Sequence, residues 1–312
     1  MVHLFRIFLA VLLTLCSCNS FGFTSINFQE AVEIGGIKQW ISLKGSNKHN
    51  PVLLFLHGGP GNSAMGYADK FTSVLQQHFV VVQWDQRESG KTASLNHSDK
   101  PLTVALMTDD AIEIINYLRS RFGQKKIYLM GHSWGGFLGL MVAAAHPEVL
   151  EAYFAISPMV NQLESERLSL ASMQTKAKDR GDQGAMAELA MVAIPFQNGD
   201  QLYYHRKWLA REMRSTAPQK RFVEAWAKKW LDLFNEASAV NLSAIERAIN
   251  CPVFFFVGSR DYQTNFKITE EYYKMLKAEK KDLFWFTNSA HSLNLTEPKK
   301  LQEIIISLQS NN

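Results

Sequence analysis

The sequence predicts an α/β protein with a mostly parallel central sheet, helices on both faces and a helical insertion. Three observations carry this. Strand-type apolar runs alternate with stretches of helical period along most of the chain. The runs "VLLFL" (Val52 to Leu56) and "FVVVQWD" (Phe79 to Asp85) lack the alternation of a half-exposed strand, as expected where helices cover both faces of a sheet. The alternation stops near Pro158 and resumes at "CPVFFFVG". Between them the chain is helical in character with no obvious strand, so residues 21–158 and 251–312 are expected to form one core and 159–250 a helical insertion.

In chain order, "AVEIGGIKQWISLKG" reads as a hairpin around Gly35 and Gly36. "PVLLFLHGGPG" is a buried strand running into a glycine-rich loop, and "SAMGYADKFTSVLQQH" has helical period. After "FVVVQWD", the stretch "TVALMTDDAIEIINYLRSRFG" is a helix with Gly123 as its stop. "KKIYLMG" is the next strand, "GGFLGLMVAAAHP" the next helix and "EAYFAISP" a further strand. Beyond the insertion come a strand at "PVFFFVG", a helix at "KITEEYYKMLKA", a strand at "KDLFWF" and a helix at "PKKLQEIIISLQ".

Composition narrows the class. Of 312 residues 46% are hydrophobic and 20% charged, an ordinary globular balance. The net charge is +4, and no run of five basic residues marks a nucleic-acid partner. The first 20 residues, "MVHLFRIFLAVLLTLCSCNS", have an arginine, a short apolar run and then small polar residues, the layout of an export signal. That run is too short to span a bilayer, which takes roughly 20 residues. "LCSC" also has the look of a lipoprotein box with Cys18 as the lipidated residue; cleavage after Ser20 competes with it. Export to a bacterial cell envelope, with membrane attachment through a lipid anchor if Cys18 is acylated, is the expectation. The third cysteine, Cys251, reads as a buried strand-edge residue, and no Cys/His set has zinc spacing.

The chemistry concentrates in "GHSWGG". Gly131 to Gly135 match G-x-S-x-G after a strand and before a helix, the context in which such a serine is raised above a sheet edge. Glycines two residues either side of Ser133 are expected because side chains there would collide with it. A serine hydroxyl is a weak nucleophile and needs an adjacent base. Three histidines follow Ser133. His146 ends the helix that Ser133 opens, and His205 lies in the insertion. His291, in the loop after the last strand, is left as the base. The acid that orients it should follow the preceding strand, where Asp261 stands; Glu164 and Glu166 are the fallbacks. Two backbone N–H groups should receive the developing oxyanion. Trp134 supplies one and Gly59, in "HGGPG", the other; losing such a donor typically costs about 3 kcal/mol. The triad performs this chemistry alone, so no metal or organic cofactor is implied.

Taken in order, "HGGPG", "WDQRESG", "GHSWGG", "VGSRDY" and "SAHS" resemble the α/β-hydrolase fold family, and within it the proline iminopeptidase (prolyl aminopeptidase) group, over roughly Gly45 to Leu308. The resemblance implies Ser133, Asp261 and His291 as the triad, Gly59 and Trp134 as the oxyanion donors, and a cap that shapes the pocket. Two departures stand out. Glu88 occupies the glycine position of the family's "DQRGSG". Leu231 follows Trp230 where the peptidases carry a glutamate for the substrate's free amino terminus. An α-ammonium buried without a carboxylate loses on the order of several kcal/mol. Trp226, Trp230 and Glu224 are the substrate-contact candidates, and Trp208, Phe196 and Tyr203 either join them or form the insertion's own core.

The expected activity is a serine hydrolase forming an acyl-enzyme on a small ester, amide or short peptide, with N-terminal-proline removal and carboxylesterase action as the competing forms. A catalytically silent binding protein at the envelope is the reading from another class. An aspartate-nucleophile hydrolase is disfavoured by serine at 133.

Overall fold

The computed structural model describes residues 24–96, 98–245 and 248–310. The expected export signal and Cys18 lie outside the described residues. The hairpin is β1 (Ile26–Ile34) against β2 (Ile37–Gly45), in antiparallel register from Ile26 with Gly45 to Ile34 with Ile37. Strands β3 (Val52–Leu56), β4 (Val80–Asp85), β5 (Ile127–His132) and β6 (Leu150–Ile156) follow. A two-residue β7 (Ala248–Ile249), β8 (Val253–Gly258), a two-residue β9 (Lys277–Ala278) and β10 (Lys281–Phe286) complete the strands. Eight of them form one sheet in the order β1-β2-β4-β3-β5-β6-β8-β10. Only the pairs of β2 with β1 and with β4 are antiparallel; from β4 to β10 every pairing is parallel.

The continuous apolar runs have the predicted consequence. Leu54 and Leu56 of β3 join the core on one face of the sheet, and Leu53 and Phe55 the core on the other. All four are 2% exposed or less, so β3 has no solvent face and needs no polar alternation.

The helices are α1 (Asp69–Thr72), α2 (Gly90–Leu95), α3 (Val104–Phe122), α4 (Trp134–Ala145), α5 (Gln162–Asp179), α6 (Gln183–Ala190), α7 (Gly199–Met213), α8 (Lys220–Ala239), α9 (Phe266–Met275), α10 (Leu293–Thr296) and α11 (Pro298–Ser310). Helix α3 is bounded by local chemistry: Thr103 accepts from the Leu106 N–H at 3.1 Å, and Gly123 closes it at φ 63°. One expectation needs correction. "SAMGYADKFTSVLQQH" yields only the four-residue α1 and a 3₁₀ turn at Leu75–Gln77. Ala64, Ala68, Phe71 and Leu75 are buried as their spacing demands, but no side chain caps α1 and Gly66 interrupts the run. Burial fixed these residues without requiring a continuous helix.

Helices α5 to α8 occupy the segment between β6 and β7. Its ends are tied by a bridge between Asn161 and Asn241 and by the Leu242 N–H to Val160 carbonyl bond at 2.9 Å. Helix α8 docks on the sheet loops. Lys229 reaches both the carboxylate of Glu88, at 2.7 Å, and its carbonyl, at 2.9 Å. Glu88 has φ 61°, a costly conformation for a side chain, and its carboxylate also accepts the Ser98 N–H at 2.6 Å. A glutamate in the family's glycine position is thus used to fasten the helical segment.

Candidate active site

Ser133 lies between the end of β5 and the start of α4 with φ 57° and ψ −115°. Such a conformation costs a non-glycine residue on the order of 1–3 kcal/mol and persists only where the surroundings enforce it. Here they do: the Ser133 N–H is held by the Ile156 carbonyl at 3.0 Å, and its own carbonyl accepts the Phe137 N–H at 3.0 Å. The glycines flanking it serve a different purpose from the one expected. A Cβ on Gly135 would sit 2.0 Å from the Leu56 carbonyl oxygen of β3, and one on Gly131 would sit 2.2 Å from the Gly135 carbonyl oxygen. The elbow is pressed against backbone, and the glycines make room for the turn itself rather than for the serine.

Trp134 is the first residue of α4, so geometry leaves its N–H without an intrahelical acceptor. Gly59, at φ 119°, lines the same cavity as Ser133. The two loops abut: a Cβ on Gly58 would lie 3.3 Å from the Ser133 Cβ. Gln86, in "WDQRESG", joins them. Its amide donates to the His57 carbonyl at 3.0 Å, and its oxygen accepts the Trp134 indole N–H at 2.9 Å. The next residue, Arg87, anchors that loop through a fully buried pair with Asp110 of α3 at 2.8 and 2.9 Å. Neither role was legible from the motif, because both partners are remote in sequence.

Asp261 follows β8 and His291 follows β10, adjacent parallel strands, which brings their loops together. His291 Nδ1 lies 3.0 Å from Asp261 Oδ2. A carboxylate only accepts, so Nδ1 carries the proton and Nε2 keeps its lone pair. Burial alone would raise the Asp261 pKa. Attraction to His291, that hydrogen bond, and the Thr264 N–H and hydroxyl outweigh it and hold the carboxyl at about 2. The Gln263 N–H and the Thr264 N–H also point at Asp261 Oδ1, at 3.0 and 3.1 Å.

His132, beside the serine, was not singled out by the sequence. Its Nε2 donates to the His291 carbonyl at 3.0 Å, which fixes the backbone of that loop. Burial, helped by nearby His291, holds its pKa down to about 4. His205, also buried, is held down to about 4. Between about pH 6.5 and 4 the unfolded chain therefore binds protons that the folded chain refuses, and stability falls as pH falls. The slope is up to about 1.4 kcal/mol per pH unit for each histidine. Chemical denaturation should show a lower midpoint at pH 5 than at pH 7; equal midpoints would refute the buried neutral state. Asp261 acts lower, its contribution draining away from about pH 3.8 to about 2.

Ser133, His291, Gly59 and Trp226 line one cavity of about 730 Å³. Trp226 also donates its indole N–H to the Pro60 carbonyl at 2.7 Å. The other substrate-contact candidates are elsewhere. Trp230 packs on the glycine loop, where a Cβ on Gly61 would meet its ring at 2.2 Å. The Glu224 side chain is 42% exposed and 3.7 Å from Lys220. Helix phase explains this: at about 100° per residue, Glu224 lies some 200° around α8 from Trp226. Phe196 belongs to the core of the helical segment, stacked on Phe234. Of the fallback acids, Glu166 is buried and engaged by Arg206 and Gln162, and Glu164 faces Arg167. Cys251 is buried, with its thiol pushed up to about 12 by burial.

Comparison with known proteins gives one answer about the fold. The family model described as the alpha/beta hydrolase fold matches residues 51–261. A probable aminopeptidase, YbaC, of Bacillus subtilis is 31% identical over 303 residues, covering 88% of this chain and 93% of the relative. A proline iminopeptidase of Heyndrickxia coagulans is 23% identical, covering 82% and 88%. The crystal structure of a proline iminopeptidase from Mycobacterium smegmatis superposes with a TM-score of 0.63 at 17% identity, over 91% of this chain and 98% of that one. The carboxylesterase CesB of Bacillus subtilis superposes at 0.58 with 16% identity, over 93% of each chain. With a parallel sheet, a serine on a strained strand-to-helix turn and a family match over most of its length, the chain belongs to the α/β-hydrolase fold family.

Proposed function

We propose that this α/β-hydrolase cleaves a small ester or amide through an acyl-enzyme on Ser133. The observation that carries the reading is the 3.0 Å His291–Asp261 pair opening on the cavity that Ser133 lines. His291 Nε2 takes the Ser133 proton as Oγ attacks the substrate carbonyl. The carbonyl oxygen becomes an oxyanion facing the N–H groups of Gly59 and Trp134. Collapse breaks the bond to the leaving alcohol or amine, which receives the proton from His291. Water then attacks the acyl-enzyme, giving a proton to His291, and His291 passes it to Ser133 Oγ as the acyl–oxygen bond breaks and the acid is released. Asp261 holds the imidazole in the required tautomer and stabilises the imidazolium. Residues 159–250 act as the cap, with Trp226 on the pocket wall.

Peptidase and esterase forms divide the support. The names of the relatives favour removal of an N-terminal residue. The lining of the cavity favours an esterase, because none of its residues is an aspartate or glutamate that could pair with a free α-ammonium. A fluorophosphonate probe should label Ser133, and short-chain p-nitrophenyl esters should turn over faster than prolyl-naphthylamide. Folded protein left unlabelled at Ser133 would end the mechanism; faster turnover of the arylamide would give the peptidase form precedence.

A further inference from the structure

The charge inside the cavity is one-sided. Its lining includes Arg206, Arg214 and Arg260 and no acidic residue. These arginines are not equivalent. The Arg206 guanidinium lies 2.7 Å from Glu166 Oε2, and Glu166 is 1% exposed, so that charge is matched inside the protein. Arg260 is different. It stands beside Asp261, but that carboxylate is committed to His291, Thr264 and Gln263. Arg260 Nη2 donates to the Asn288 carbonyl at 2.7 Å, and its Nε is buried with no hydrogen-bond partner. Among the described residues no carboxylate pairs with Arg260 or with Arg214, which ends α7 at the exposed rim. A guanidinium that keeps its charge unmatched on the wall of a cavity calls for a counter-charge from outside the protein, and its fork fits a carboxylate.

The rest of the wall is uncharged: polar side chains such as Asn62, Gln162 and Gln263 alternate with an apolar group that includes Met159, Leu202, Met213, Val223 and Phe234. We infer that the cavity takes substrates that combine an apolar body with a carboxylate, the carboxylate held by Arg260 and drawn in by Arg214. This deepens the proposed hydrolase activity and rests on it for the position of the scissile carbonyl. The carboxylate belongs either to the acyl group or to the leaving group, and the two sources separate experimentally. A free α-ammonium, by contrast, would meet two unmatched cations.

Two matched pairs of esters test this. Mono-4-nitrophenyl glutarate against 4-nitrophenyl valerate places the charge on the acyl side. Then 4-acetoxybenzoate against its methyl ester places it on the leaving group. Binding is measured by calorimetry on the Ser133→Ala protein, and kcat/KM on the active enzyme. In at least one pair the anionic member should bind about tenfold to a hundredfold more tightly than the neutral one. Arg260→Gln should remove that preference, acting on KM and leaving the neutral member nearly unchanged. Arg214→Gln, at the exposed rim, should reduce it and serves where Arg260→Gln fails to fold. Equal or weaker binding of the anionic member in both pairs overturns the inference, as does a loss on Arg260→Gln that is the same for charged and neutral esters. Failure of the hydrolase reading looks different: Ser133 stays unlabelled and no ester turns over, while the binding ratios still decide the charge question.

Discussion

Ser133→Gly is expected to give a protein with almost no hydrolytic activity and a higher melting temperature than Ser133→Ala. Both substitutions delete the proposed nucleophile, and loss of a catalytic serine that acts with its histidine typically lowers kcat by about a millionfold. They differ in the backbone. At φ 57° and ψ −115° alanine keeps the strain of the serine, on the order of 1–3 kcal/mol. Glycine relieves it, against an entropic cost of roughly 0.5–1 kcal/mol for its freer unfolded chain. The net difference of about 1 kcal/mol corresponds to roughly 1–2 °C in melting temperature. Calorimetry of the two variants beside the wild type reads the strain, and ester hydrolysis reads the chemistry. Ser133→Ala with more than about one hundredth of wild-type kcat/KM would remove Ser133 from the role of nucleophile. Equal melting temperatures for the two variants would show that the turn is not strained.

This strain is also why so much of the site was legible in the sequence. A turn that tolerates almost no side chain must be written as glycine, serine, glycine at fixed spacing. A strand covered on both faces must be written as a continuous apolar run, as "VLLFL" is. The meeting of Asp261 with His291 was readable because each stands just past a strand whose place in the sheet follows from the alternation. Other features depend on remote partners and leave no local trace. Gln86 matters through His57 and Trp134, and Arg87 through Asp110 in α3. Of the substrate-contact candidates read from "EAWAKKW", Trp226 lies on the cavity wall. Glu224 and Trp230 lie off it for different reasons: Glu224 is on the far side of α8 from Trp226, and Trp230, one turn further along the same face, packs on Gly61 where α8 docks on the sheet loops. The arginine-lined wall gathers residues from α7 and from the loop after β8, which no linear window contains.

Gly135→Ala should destabilise the protein more than any other single methyl added to this turn and should impair catalysis in whatever fraction still folds. The added Cβ would lie 2.0 Å from the Leu56 carbonyl oxygen and 2.8 Å from that of His57. Both are backbone atoms at the end of a buried strand, so no side chain can rotate away. The helix or the strand must move, and overpacking of this kind costs about 3 kcal/mol or more. In a chain of this size that is a fall of roughly 5 °C or more in melting temperature. The damage reaches the chemistry because Leu56 and His57 lead directly into Gly58 and Gly59. Displacing them by even a few tenths of an ångström misaligns the Gly59 N–H from the oxyanion it should receive, so kcat falls more than KM changes. Gly66→Ala is the matched control: a Cβ there meets nothing within 4 Å, and neither stability nor rate should suffer. If Gly135→Ala melts with the control and retains its kcat, the elbow is not clamped by β3, and the glycine at 135 must be explained by something other than the approach of that strand.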